Sequence, residues 1–169
     1  MNHAKYILNA RERFGRVRYI NYFMELLMAI SMYSASVPVF KQMLNSLSVI
    51  LNKAEVYTVE NKIDPDTILQ ARLFPDMFNL IRQVQIAADF AKGVTARLAE
   101  MDVPVYEDSE TNFGELQARI AKTLLFISSV ASTKIEGSEE RDIVTQAGTP
   151  KERKFKGQPY LLHYGLPQF

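Results

Sequence analysis

Residues 71–101, ARLFPDMFNLIRQVQIAADFAKGVTARLAEM, constrain the fold more than any other stretch of this chain. Met77, Ile81, Val84, Ala88, Ala91, Thr95 and Leu98 recur at steps of three and four, which places them on one helical face. Phe74-Pro75 is expected to open this helix, because proline suits a first turn whose N–H groups have no intrahelical partner. Leu80, Ala87, Val94 and Met101 repeat every seven residues along one flank, with Ile86 and Phe90 further round. The apolar arc then covers roughly two thirds of the circumference. A helix that apolar is covered on more than one side. Either it lies between two neighbouring helices of a bundle, or Ile86 and Phe90 belong to a dimer surface.

A length of 169 residues is enough for one domain with a real core. A net charge of +1 makes no electrostatic argument for nucleic acid or an acidic partner. The chain has no Cys, which excludes disulfides, thiolate catalysis and Cys-ligated metal, and suits a cytoplasmic protein. His3 and His163 are its only imidazoles, so one chain cannot supply a three-His site. No stretch reaches the roughly 18 uninterrupted apolar residues of a membrane span, so no membrane partner is expected.

Residues 1–28 form a basic N-terminal extension, in which Lys5, Arg11, Arg13, Arg16 and Arg18 face only Glu12 and Glu25. A targeting peptide and a nucleic-acid arm are alternatives to a loose or helical segment outside the domain. The run is short and lacks a clear amphipathic stripe, so nucleic acid is not the expected partner. The domain proper spans residues 29–169.

Its first helix is expected from the Ser36 cap and Pro38, with a stripe of Phe40, Leu44, Leu47, Leu51 and Ala54 flanked by Met43, Ile50 and Tyr57. It should fade near Glu60. Asp64-Pro65 starts a short helical turn, and residues 102–109 are a loop. The third long helix opens at Asn112, with Glu115 at capping-box spacing and a stripe of Phe113, Leu116, Ile120, Leu124, Ile127 and Ala131. Arg119 lies at the edge of that stripe and is expected to snorkel to the surface. Residues 141–146 and 151–156 predict a β-hairpin with Phe155 inward and its basic residues solvated. Residues 157–167 suggest one or two helical turns, stopped by Pro167. The acid pairs Asp64/Asp66 and Glu139/Glu140 sit in loop-like stretches and read as solvated surface.

Several strings gain meaning together: SMYSASVPVF (31–40), ARLFPDMF (71–78), QVQIAADFAK (83–92), FGELQARIAKT (113–123) and YLLH (160–163). In this order and spacing they resemble an uncharacterised, domain-of-unknown-function family of the DinB/YfiT-like superfamily, over about residues 29–169. The resemblance implies an all-α, DinB-like up-and-down helical bundle with a small β-hairpin. Superfamily members include metal-dependent thiol transferases and isomerases, and many are dimers. This branch implies no particular activity. Relatives begin near Ala29 and continue past the Leu-Pro-x-Phe string into a fourth helix, which this chain is expected to lack. Residues Tyr6, Ile7, Leu8, Tyr19, Ile20, Phe23, Leu26 and Leu27 are candidates to fill the vacant groove.

In the superfamily a metal is held by three His, one from the second helix and two from the fourth. Here the second helix has none, so His163 is a weak, incomplete metal candidate, and a divalent metal is an expectation for a full-length relative only. Asp76, Gln83, Lys92, Tyr160 and His163 are candidates to line a pocket for a small polar ligand. Capping and interhelical hydrogen bonding are their plain alternative. The expectation is a non-catalytic or catalytically impaired bundle that self-associates as a homodimer. The alternative is a metal-dependent or small-ligand-binding enzyme of transferase or isomerase type.

Overall fold

Apolar residues recurring at steps of three and four in three segments produce three long helices: α1 (Val37–Asn61), α3 (Leu80–Leu98) and α4 (Phe113–Ser129). The computed structural model describes residues 31–169, of which residues 32–169 form one compact unit. The expectations placed on residues 1–28, including their role in filling a groove, lie outside the described residues. α4 packs against both α1 and α3, while α1 and α3 meet less extensively. The core is built from Phe40, Leu44 and Leu51 of α1, Val84, Ala88, Ala91 and Leu98 of α3, and Phe113, Leu116, Ile120 and Ile127 of α4. The all-α reading with a small hairpin holds. No described helix is long and apolar enough to cross a membrane.

The local start signals worked unevenly. The Asn112 side chain accepts from the Glu115 N–H at 2.9 Å, satisfying one orphan donor of the first turn, and the Glu115 carboxylate accepts from the Thr111 N–H at 2.6 Å, one residue before the usual capping-box partner. Asp64 caps the short α2 (Pro65–Leu69) by accepting from the Asp66 N–H. Ser36 precedes α1 as expected, yet its hydroxyl donates to the Met32 carbonyl at 2.6 Å and does not cap the helix.

The helix predicted over residues 71–101 is shorter at both ends. Its N-cap is Asn79, which accepts from the Arg82 N–H at 3.0 Å. Pro75 instead follows Phe74 in a turn closed by the Met77 N–H on the Phe74 carbonyl. Proline favours the second position of a β-turn as strongly as it favours a first helical turn, and here the turn prevails. At the far end Glu100 adopts φ 53°, a left-handed conformation that ends the helix before Met101.

After α5 (Ser132–Ile135) come strands β1 (Asp142–Thr145) and β2 (Arg153–Lys156), paired antiparallel with Ile143 opposite Phe155. Gly157 begins α6 (Gly157–Tyr160), which runs into a π-helical turn (Leu161–Gly165) and α7 (Leu166–Gln168). Pro167 therefore does not stop the segment; it occupies the first turn of α7, where it costs no hydrogen bond. Phe169 packs edge-on against Phe40 at 5.0 Å. Arg141 ties the hairpin to the end of α3 by donating to the Leu98 carbonyl and pairing with Glu100 at 3.2 Å.

Candidate functional site

α3 carries Gln85, Asp89 and Lys92 at i, i+4 and i+7, a polar line beside its apolar stripe. α4 presents Arg119 to it. Residues 99–112 cross over this pair without regular structure and contribute Tyr106, Asp108 and Glu110. Arg119 is the hub. Its Nη2 lies 2.8 Å from Asp89 Oδ1 and 2.9 Å from Asp108 Oδ1, and its Nη1 lies 2.9 Å from Glu110 Oε1. Nη1 also donates to the Glu107 carbonyl at 3.0 Å. The side chain retains 1% of its exposure. The surface position expected for Arg119 is thus corrected. A guanidinium presents its donors as a fixed planar fork, and carboxylates from α3 and from the loop converge on it.

The second ring of contacts extends the network. Lys92 Nζ pairs with Asp89 at 2.8 Å and stands 3.8 Å from the centre of the Tyr106 ring, a cation–π geometry; Lys122 Nζ approaches the same ring to 4.2 Å. Gln85 donates to Glu110 at 2.9 Å and accepts from Arg82, which also pairs with Asp108. Burial alone would raise the Asp108 carboxyl. The hydrogen bond and charge of Arg82, then those of Arg119, outweigh it and hold the group below its ordinary value. Glu110 follows the same pattern, burial being overcome by Arg119 and Gln85. Burial of Arg119 is likewise overcome, by Glu110 and Asp89, and its pKa is raised. Burial pushes the Tyr106 phenol up, against the opposing pull of Thr123 and Arg119.

Chemically this is a locked set of charges. Carboxylates held below their usual range by bound cations are poor proton acceptors near neutral pH. A groove of ≈ 580 Å³ adjoins it, lined among others by Tyr106, Ser109, Arg119 and Lys122.

The five residues singled out from sequence fall in different places. Lys92 is 5% exposed and belongs to the Arg119 network. Asp76 is exposed in the turn before α3. Gln83 donates to the Phe78 carbonyl at 3.4 Å and lies on the rim of an apolar groove of ≈ 450 Å³ lined by Ile68, Met77, Phe78 and Leu80. Because α3 begins at Leu80, Asp76 does not share a helix with Gln83. Tyr160 is buried, and its hydroxyl accepts from Arg97 at 3.2 Å. His163 is exposed in the π-helical turn and is the lone imidazole among the described residues. Among the described residues no group of three or more His, Asp or Glu is placed to hold a metal ion. The sequence places Arg119 at the edge of a stripe but not its partners, and the polar i, i+4, i+7 line of Gln85, Asp89 and Lys92 is the one local signal of a charged neighbour for α3.

Residues 32–169 match the family described as "Domain of unknown function (DUF1993)". Among solved structures the chain is similar to a DinB family member protein from Shewanella denitrificans. The two share 34% identity at a TM-score of 0.74, over 87% of this chain and 80% of that one. No curated protein matches the chain.

Proposed function

Because the chain belongs to the DUF1993 family and has a DinB-like helical fold, we propose that it is a self-associating, non-catalytic helical module, a homodimer formed through the open face of α1. One observation carries this reading. Met43, Leu47, Ile50, Ala54 and Tyr57 follow one another at steps of four, three, four and three, the spacing of a helix–helix seam. They lie beside the buried stripe of Phe40, Leu44 and Leu51, and Met43, Ile50 and Tyr57 stand 52%, 59% and 53% exposed. A second copy is the natural occupant because the seam is nearly palindromic. Antiparallel pairing about Ile50 sets Ile50 on Ile50 and Met43 on Tyr57, and brings Leu47 and Ala54 to within one residue of facing each other, a self-complementary two-fold contact.

The alternative, a metal-dependent or small-ligand enzyme of transferase or isomerase type, has less support. Among the described residues His163 stands alone, and the carboxylates of the central network are already committed to Arg119, Arg82 and Lys92. A cytoplasmic setting is in keeping with the absence of Cys.

Sedimentation equilibrium on the full chain tests the proposal. A dimer is expected, with Ile50→Glu monomeric and unchanged in helix content. Leu73→Glu, in the other exposed apolar patch, should leave the dimer intact. A monomer across the accessible concentration range, or a dimer that survives Ile50→Glu, would overturn the reading.

A further inference from the structure

The hairpin carries four basic residues over 151–156, and they divide into two sets. Lys156 pairs with Asp142 at 2.8 Å and Lys154 with Glu152 at 3.5 Å. Arg153 and Lys151 have no carboxylate within reach among the described residues. These two line a cavity of ≈ 510 Å³ between the hairpin tip and the C-terminal helical segment. Strand periodicity puts Arg153 on the same face as the inward Phe155. Its guanidinium stands 5.7 Å from the centre of the Tyr164 ring, and Phe155 packs on that ring at 4.9 Å. The ring contact steadies Arg153 without using its hydrogen bonds. Gln146 and Gln168 line the same cavity, and neither side-chain amide has a partner among the described residues. The Arg119 network is the opposite case, since its charges neutralise one another.

We infer that this cavity binds a small polar molecule bearing a phosphate or carboxylate group, with Arg153 and Lys151 taking the anion and the Gln146 and Gln168 amides its polar body. The volume falls within the usual range of small-molecule sites. Arg supplies a two-pronged fork for an oxyanion, and Lys adds a compact second charge. Glu152, the one acid among the lining residues, is already engaged: its carboxylate accepts from the Gly148 N–H at 2.8 Å and pairs with Lys154.

The test is a titration of the full chain with inorganic pyrophosphate and, separately, with citrate, followed by backbone amide NMR. At least one is expected to give saturable shifts centred on Gln146, Arg153 and Gln168, weakened by added salt. Pyrophosphate alone would identify a phosphate site, and citrate alone a carboxylate site. Arg153→Ala should weaken binding about tenfold or more, the worth of a charge-assisted contact. Lys156→Ala, whose cation is paired with Asp142 away from the cavity, should not. These positions are exposed, so the variants are expected to fold, and their helix content checks it. No saturable shift with either probe, or equal losses in Arg153→Ala and Lys156→Ala, would overturn the inference. So would retention on DNA without binding of either small anion.

Discussion

Arg119 Nη2 and Asp89 Oδ1 lie 2.8 Å apart across the α3–α4 interface, joining residues thirty positions apart in the chain. The same Nη2 holds Asp108, so one nitrogen fastens both a helix and the loop that crosses it. Removing the guanidinium leaves carboxylates gathered around a buried gap. Arg119→Ala is expected to destabilise the fold by about 3 kcal/mol or more. Arg119→Lys should recover only part of that, because an ammonium cannot span all the acceptors. Urea unfolding of the three proteins decides it, and a loss below about 1 kcal/mol for Arg119→Ala would mean that the loop is held by other contacts.

The network also sets an acid response. Asp108 and Glu110 titrate in the folded chain below their ordinary values of 3.8 and 4.5. The unfolded chain therefore binds more protons in that region. Their contribution is fully present above the ordinary values and is lost as pH falls through the depressed folded ones. Unfolding free energy should be level near neutral pH and decline below about 4.5. The decline should be shallower in Asp108→Asn and Glu110→Gln. Urea titrations at a series of pH values would expose an error, which would appear as identical slopes in variant and parent.

Gly157 and Gly114 make a matched pair. A Cβ on Gly157 would sit 1.8 Å from the Ser138 carbonyl oxygen, a backbone atom that cannot step aside. Gly157→Ala should cost about 3 kcal/mol and disturb the junction of hairpin and α6. A Cβ on Gly114 meets only the Asn112 side chain, at 3.4 Å. Gly114→Ala should be neutral or stabilising by about 0.5 kcal/mol, because alanine loses less freedom in a helix. Thermal melts of the two variants should shift unequally, and equal shifts would contradict the close approach at Gly157.

The helix caps predict a third contrast. Asn112→Ala and Asn79→Ala should each cost about 1 kcal/mol, since each removes an acceptor from an unpaired N–H. Ser36→Ala acts differently, because that hydroxyl is buried and bonds to the Met32 carbonyl. Hydrogen exchange at the first turns of α3 and α4 should quicken in the Asn variants. First-turn protection of α1 should survive Ser36→Ala, and fraying there would show that the hydroxyl serves as a cap.

Much of the fold was legible in residues close together along the chain. The stripes of α1 and α4, the Asp64 and Asn112 caps, and the hairpin with Phe155 inward all follow from periods of 3.6 or 2 and from signals a few residues long. The start of α3 was misplaced for a local reason. Phe74-Pro75 suits both a helix and a turn, and Asn79 supplied a better cap five residues past the apparent start.

What the amino-acid order determined by itself was which faces are apolar and where helices and strands can begin, because those preferences act within a turn or a strand pair. Tertiary structure alone decided that Arg119 is buried while Arg153 has no acid partner among the described residues. Each has acids near it in the chain, Glu115 for one and Glu152 for the other. Glu115 is engaged with Thr111 and Glu152 with Gly148 and Lys154. Arg119 instead draws its partners from residues nine, eleven and thirty positions away. Whether a cation is neutralised depends on which chain segments pack beside it, and sequence spacing does not carry that information across a loop.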